Sequence, residues 1–315
     1  MNIVLLESLG IPAALLEEYA ESFRKEGHTF AAYQRETNTQ ILIERAKDAD
    51  VIMIANMPLK GEVIRACKNL KYIDIAFTGV DHVDLEAAKE CGVKVSNAAG
   101  YSTQAVAELA VCMMLSLLRN VPAVEERCRN GATKDGLVGS QLSGKTVGIV
   151  GVGAIGGRTA RLCNAFGAKV IGYKRNIKGD EPSCVEFVSM DELLTRADIV
   201  SLHCPLTAQT KGMIGAEQIG KMKKGALLIN TARGAVVDSQ ALADALNEER
   251  IGGAGIDVFE MEPPIPAEHP LLNSKRTLVT PHVAFASAES MEDRARIVFD
   301  NIRYWMAGEQ KNVIL

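Results

Sequence analysis

Three residues in the second half of the chain have side chains suited to acid–base chemistry on a small acid. They are Arg233 in "INTARGAVVD", Glu262 in "GIDVFEMEPP" and His282 in "LVTPHVAFAS". A guanidinium presents a rigid fork of donors that matches a planar carboxylate. An imidazole titrates near neutral pH, so it can give and take a proton in turn, and a neighbouring carboxylate favours its cationic form. Taken singly, each residue type at a strand end is more often a surface ion pair than a catalyst. Their shared placement groups them: each follows an apolar run that reads as a strand, and open parallel sheets bind ligands at the carboxyl ends of their strands.

A second feature lies upstream, in "KTVGIVGVGAIGGRTARLCNAFGAKVIGYKRN". Gly151, Gly153 and Gly156 directly follow an apolar strand and open an Ala-rich helix that starts with Ala154 and Ile155, and a second strand follows. A glycine triplet alone is weak evidence, but strand, turn, helix and strand in order within about 30 residues form the fingerprint of a dinucleotide site. The first glycine permits the tight turn, the second lets backbone approach a pyrophosphate, and the third lets helix and strand pack closely. The helix N-terminus then offers its unpaired N–H groups to the phosphates.

The second strand of that unit ends in Tyr173, Lys174 and Arg175. A site that selects NAD carries an acid there to accept hydrogen bonds from the ribose hydroxyls, whereas cations attract a 2′-phosphate and arginine can grip it in bidentate fashion. The strand end therefore favours NADP(H), with NAD remaining open if the two side chains point to solvent.

These residues need sheets to hold them. The runs "NIVLL", "DVIMIAN", "KYIDIA" and "VKVSN", then "KTVGIVG", "KVIGY", "DIVSLH", "GALLIN", "GGAGIDVF" and "TLVTPH", alternate with helical patterns. Most are apolar on both faces, as in parallel sheets covered by helices on each side. The expected architecture is α/β, with two doubly wound parallel-sheet domains: residues 1–100 rejoined by a C-terminal helical stretch at 288–315, and residues 101–287 between them. The pattern "STQAVAELAVCMMLSLLRNVPAVEERCRNG" reads as one long connecting helix capped by Ser102 or Thr103. Its apolar positions from Ser102 to Arg119 exceed one buried face, which points to a homodimer.

Composition removes other classes. A chain of 315 residues suits two domains. Its net charge of −4 and pI near 5.8 come without a basic block, which argues against nucleic acid as a partner. No apolar run reaches the roughly 20 residues that cross a bilayer, and the N-terminus opens on a strand rather than a basic leader, so no membrane partner and a cytoplasmic location are expected. The seven cysteines (67, 91, 112, 128, 163, 184 and 204) are scattered and never in C-x-x-C spacing. They read as core-filling thiols in a reducing compartment, with no metal site. His28 and His269 stand outside any motif and read as solvated, and His82 in "GVDHVD" reads as structural.

The glycine fingerprint, "HCPLTAQT", "NTARG", the Asp257–Glu262 segment and "TPH" follow one another as in the D-isomer-specific 2-hydroxyacid dehydrogenases. Upstream, "FTGVDHVDLEAAKECGVKVSNAAGYSTQAVAE" is similar to that family's substrate loop and interdomain helix, so the resemblance runs from about Tyr72 to Ser287. It implies a Rossmann-fold dinucleotide-binding domain inserted into a flavodoxin-like substrate domain, and hydride transfer between a nicotinamide cofactor and a small 2-oxo acid such as glyoxylate or hydroxypyruvate. Arg233 would bind the acid's carboxylate and carbonyl, assisted by backbone N–H groups around Phe77, Thr78 and Gly79. His282 would protonate the carbonyl oxygen, with Glu262 pairing with it and Phe285 beside the substrate. Val106, Ile155, His203, Pro205, Thr210, Thr231 and Asp257 match positions that line the family's cofactor cleft.

The sequence also departs from the family. Ala99 stands where many relatives place proline, and "NGATKDGLVGS" lacks the tryptophan that many carry. Phe285 is bulky where phosphoglycerate dehydrogenases carry small residues, and no regulatory domain follows, so the phosphoglycerate reading is the alternative. Glu262 separates the chain from formate dehydrogenases, which carry glutamine, and Thr78 separates it from phosphite dehydrogenases, which carry lysine. A nucleotide-sensing corepressor-type scaffold shares the fold, but its disordered tails have no counterpart in this composition.

Overall fold

The computed structural model describes residues 1–315, and the chain divides into two compact units, Met1–Ser102 with Ala286–Leu315, and Thr103–Phe285. In the first, β1 (Asn2–Leu5), β2 (Thr29–Ala32), β3 (Val51–Ile54), β4 (Tyr72–Ile75) and β5 (Lys94–Asn97) alternate with α1 (Ala13–Lys25), α2 (Thr39–Ala46), α3 (Gly61–Ala66) and α4 (Leu85–Glu90). All pairings are parallel, in the order β2-β1-β3-β4-β5, which is flavodoxin-like. The four residues of β3 and of β4 are buried throughout, because helices cover both faces of the sheet.

The C-terminal helix, numbered last below, belongs to this unit for identifiable reasons. Phe299 stacks against Tyr19, Phe23 and Phe30, and Trp305 stacks on Tyr72 at 4.7 Å. Buried Asn301 donates to Asp74 Oδ1 and to Asn97 O, both at 3.0 Å.

The second unit begins with α5 (Thr103–Leu118) and α6 (Val121–Arg129) and continues through β6 (Thr146–Val150), α7 (Ala154–Ala165), β7 (Lys169–Tyr173), β8 (Val185–Phe187), α8 (Met190–Arg196), β9 (Ile199–Leu202), α9 (Ala216–Lys221), β10 (Leu227–Asn230), α10 (Ser239–Asn247), β11 (Gly253–Ile256) and β12 (Thr277–Val279). The final helix, α11 (Ala288–Met306), is the one docked on the first unit. The seven strands of the second sheet run parallel in the order β12-β11-β10-β9-β6-β7-β8, a doubly wound order that reverses between β9 and β6. The turn after β6 therefore lies where α/β sheets bind ligands.

The single long helix expected from the sequence is two. Asn120 adopts the left-handed conformation (φ 53°, ψ 35°) and Pro122 follows, so the chain bends by 61° between α5 and α6. The apolar stripe of α5 is used inside its own unit: Val106, Ala107, Ala110, Val111, Met113, Met114 and Leu117 are buried, several of them in the core beneath β6 and β10. No residue of α6 is buried. The cysteines also differ from expectation: Cys67, Cys163 and Cys204 fill cores, but Cys91, Cys112 and Cys128 are exposed on helical surfaces or turns where no packing requires them. No single helix is long and apolar enough to cross a membrane.

Candidate functional site

The glycines after β6 are dictated by different neighbours. Gly151 has φ +94°, and a Cβ there would stand 2.8 Å from the backbone at His203 and Cys204. A Cβ on Gly156 would stand 2.2 Å from the carbonyl oxygen of Gly151, so helix α7 can lie this close to the strand only without a side chain. Gly153, the N-cap of α7, is different: a Cβ there meets no protein atom within 4 Å. The fold itself does not demand glycine at 153, whereas a phosphate drawn against the helix N-terminus would. The first-turn N–H groups of Ala154, Ile155 and Gly156 have no helical carbonyl to bond, as at any helix start. The turn thus fits a dinucleotide.

At the end of β7 the two cations are not equivalent. Lys174 Nζ lies 2.5 Å from Glu181 Oε1, and the glutamate side chain is only 5% exposed. The sequence reading offered both cations to a phosphate; the structure commits Lys174 to a loop carboxylate, while Arg175 is exposed and forms no salt bridge.

Beyond the adjacent strands, His203 follows β9 and Thr231 follows β10. The His203 ring is partly accessible as a whole, but its Nδ1 is buried without a hydrogen-bond partner, as is Thr231 Oγ1. His203 Nε2 meets Ser201 Oγ at 2.9 Å, and burial lowers the ring's pKa to about 4, so it is neutral at physiological pH. Two orphaned polar atoms at neighbouring strand ends are what a site shaped for a polar ligand leaves on its own. The Thr210 hydroxyl donates to Pro205 O at 2.6 Å and accepts from Thr207 N–H at 2.8 Å, which closes its own loop. Val106 is buried in α5.

Asp257 follows β11 and is tied to the loop after β12. It is 0% exposed, and its carboxylate accepts from Thr280 Oγ1 (2.5 Å), Val283 N–H (2.8 Å) and Ala284 N–H (2.9 Å). Its carbonyl accepts from His282 N–H at 2.7 Å. Asp257 therefore braces the loop after β12, and with it His282, whose backbone is held at φ +56°, a region costly for a residue with a β-carbon.

His282 Nδ1 faces both oxygens of Glu262, at 3.0 and 2.9 Å. A carboxylate only accepts, so Nδ1 donates and carries a proton. The ring also meets Phe285 edge to face at 5.4 Å. Glu262 sits on a braced segment of its own. Ser239 Oγ donates to Glu260 Oε1, and His269 Nε2 faces Glu260 Oε2 at 3.0 Å. Burial pushes the Glu260 carboxyl up, but the hydrogen bonds from Ser239 and His269 outweigh it and hold the pKa below its ordinary value. His269, read as solvated, is in fact 7% exposed: Nδ1 accepts from Leu271 N–H at 3.3 Å, and the ring packs edge to face on Phe259 at 5.0 Å. No motif surrounds it, and only the fold reveals its neighbours.

Arg233 stands in extended backbone (φ −148°, ψ 137°) just after β10, with its carbonyl held by Asn230 Nδ2 at 2.9 Å. Arg233, Asp257 and His282 thus follow the same ends of β10, β11 and β12, which pair in parallel. In the first unit, Phe77, Thr78 and Gly79 follow β4. The Phe77 ring is 5% exposed against His82 and Tyr101, and Asn97 Nδ2 fixes Thr78 O at 2.7 Å.

A domain with this glycine turn at the switch point, a neutral histidine after β9, an orphaned threonine after β10 and a carboxylate-paired histidine further along the same sheet edge suits dinucleotide-linked acid–base chemistry. Residues 111–284 match the family described as D-isomer specific 2-hydroxyacid dehydrogenase, NAD binding domain. The chain is 33% identical over 289 residues to a hydroxypyruvate reductase of Blautia hydrogenotrophica, covering 88% of each. A glyoxylate reductase from Paecilomyes thermophila superposes with a TM-score of 0.90 at 30% identity, covering 100% of this chain and 98% of the other. An acyclic imino acid reductase solved with NADPH and D-Arg superposes with a TM-score of 0.91 at 30% identity over 100% of both chains. The chain belongs to the D-isomer specific 2-hydroxyacid dehydrogenase family. It is accordingly an oxidoreductase that uses a nicotinamide dinucleotide.

Proposed function

We propose that the protein reduces small 2-oxo acids, glyoxylate and hydroxypyruvate foremost, with NADPH favoured over NADH. The observation that carries the reading is His282 held through Nδ1 by both Glu262 oxygens, at the carboxyl ends of the strands of a dinucleotide-binding sheet. When bound, the nicotinamide supplies the hydride. Arg233 binds the substrate carboxylate and orients the carbonyl. His282 gives its Nε2 proton to the carbonyl oxygen as the alcohol forms, and Glu262 stabilises the imidazolium until then. The glycine turn holds the pyrophosphate, Thr231 and neutral His203 supply polar atoms near it, and Arg175 meets the 2′-phosphate. The relative named hydroxypyruvate reductase, the solved glyoxylate reductase and the NADPH held by the imino acid reductase support the substrate and cofactor assignments. The free thiols suit a reducing, cytoplasmic setting.

Screening 2-oxo acids with each reduced cofactor, following the loss of its absorbance, tests the reading. Turnover of glyoxylate or hydroxypyruvate, faster with NADPH, is expected; binding of either cofactor without turnover of any acid would point to a nucleotide-sensing scaffold instead.

Glu262→Gln isolates the pairing. A neutral amide supports the protonated ring less than a carboxylate does, so kcat for reduction should fall by about tenfold or more while cofactor affinity holds. A kcat equal to that of the parent would remove Glu262 from this role.

The protein is further proposed to act as a homodimer. With the α5 stripe consumed internally, the exposed apolar groups that remain nearby are Val121 at 49% and Val138 at 80% exposure, in and just after α6. Light scattering at micromolar concentration should give twice the chain mass, and Val138→Asp should weaken the association; a monomeric parent would end the idea.

A further inference from the structure

We propose that Glu181 limits the site's preference for 2′-phosphorylated nucleotides by occupying Lys174, so that Glu181 is a determinant of cofactor discrimination. The inference rests on the reading that the end of β7 meets the adenosine ribose.

The loop after β7, "RNIKGDEP", folds back on the strand end. Glu181 Oε1 receives Lys174 Nζ at 2.5 Å and Lys178 N–H at 2.8 Å, and Oε2 receives Gly179 N–H at 2.8 Å. With 5% of its side chain exposed against 21% for Lys174, the carboxylate is the inner partner of the pair. The lysine and the two backbone donors lower its pKa to about 2, so the anion persists at every pH at which the enzyme would be assayed.

Two consequences follow for a nucleotide arriving at this strand end. The local charge is that of one net cation, not two, because Lys174 and Glu181 cancel. A 2′-phosphate carries close to two negative charges, so it meets a fixed carboxylate as well as Arg175, and recruiting Lys174 would mean breaking a bond already shielded from water. A ribose with a free 2′-hydroxyl has no such conflict. Glu181 therefore penalises NADP(H) selectively and leaves NAD(H) nearly untouched.

Glu181→Gln tests this with little change of shape, since the amide oxygen can still accept from the loop N–H groups. Adenosine 2′,5′-bisphosphate and AMP, which differ by the 2′-phosphate, are titrated calorimetrically into the full-length parent and variants, so that the readout does not depend on turnover. The bisphosphate should bind Glu181→Gln about tenfold more tightly than the parent, a step of about 1.4 kcal/mol, while AMP affinity stays within about twofold. The NADPH-to-NADH ratio of kcat/KM should rise in parallel. In a Lys174→Met background Glu181→Gln should gain much less, which separates release of the lysine from a general change in the loop. An unchanged or weaker bisphosphate affinity in Glu181→Gln would overturn the proposal. Arg175→Ala distinguishes the two levels: if it weakens the bisphosphate while Glu181→Gln does nothing, the cofactor reading stands and this inference alone falls. If neither variant alters the preference for the bisphosphate over AMP, the strand end does not face the ribose and both fall.

Discussion

Replacing His282 with asparagine or alanine is expected to lower kcat for 2-oxo acid reduction by about 10² to 10⁴, the range that a lost general acid accounts for. Affinity for the reduced cofactor should change little, because the groups proposed to hold it are on β6, β7, β9 and β10 rather than on the loop after β12. Asparagine is the better test. The backbone at 282 is left-handed, and asparagine adopts that conformation more readily than alanine, so a loss of activity in His282→Asn cannot be assigned to a collapsed loop. Asp257 would continue to hold the loop through Thr280, Val283 and Ala284. The measurement pairs steady-state kcat with a fluorescence titration of NADPH. A kcat near that of the parent would refute His282 as the proton donor; a large fall in cofactor affinity would show that it acts by shaping the cofactor site.

What the sequence reveals here follows how each feature is buried. Central strands such as β3, β4, β9 and β10 are covered on both faces, so each is a continuous apolar run, and their alternation with helices specifies the doubly wound class. The edge strands β2 and β8 escape the same reading, because "TFAA" and "VEF" are half-exposed and no apolar run marks them. The break at Asn120 depends on one backbone conformation that helical periodicity overlooks. The Gly151–Gly156 turn is legible because its residues are local in sequence. Pairings made only when a loop folds back are not: Lys174 reads as an open cation until the loop brings Glu181 to it, and His269 reads as solvated until Glu260 and Phe259 enclose it. Asp257 looks like a ligand-facing acid at a strand end. Only the fold shows that the segment after the neighbouring strand β12 brings three donors to it, so its carboxylate also holds the histidine loop.

The largest effect on substrate capture is expected at Arg233. Its turn is fixed without it: Asn230 receives Ala232 N–H at 3.1 Å and donates to Arg233 O at 2.9 Å, so the backbone keeps its path whichever side chain stands at 233. The guanidinium Nη1 donates to Ala232 O at 2.9 Å, which steadies one arm of the fork. Against a 2-oxo acid the guanidinium can form two charge-assisted hydrogen bonds, each contributing about 1.5 to 3 kcal/mol. Losing both in Arg233→Ala should lower kcat/KM by about 10² to 10⁴, at about 1.4 kcal/mol per tenfold step. Arg233→Lys retains the charge but presents a single compact ammonium in place of the fork, so it should recover only part of the loss. Cofactor affinity, read by the same NADPH titration, should stay within about twofold in both variants, since the phosphates are assigned to the turn after β6. A lysine variant as active as the parent would show that charge alone is needed at 233 and that the planar match to the carboxylate plays no part. An alanine variant with unchanged KM and kcat would remove Arg233 from the site altogether.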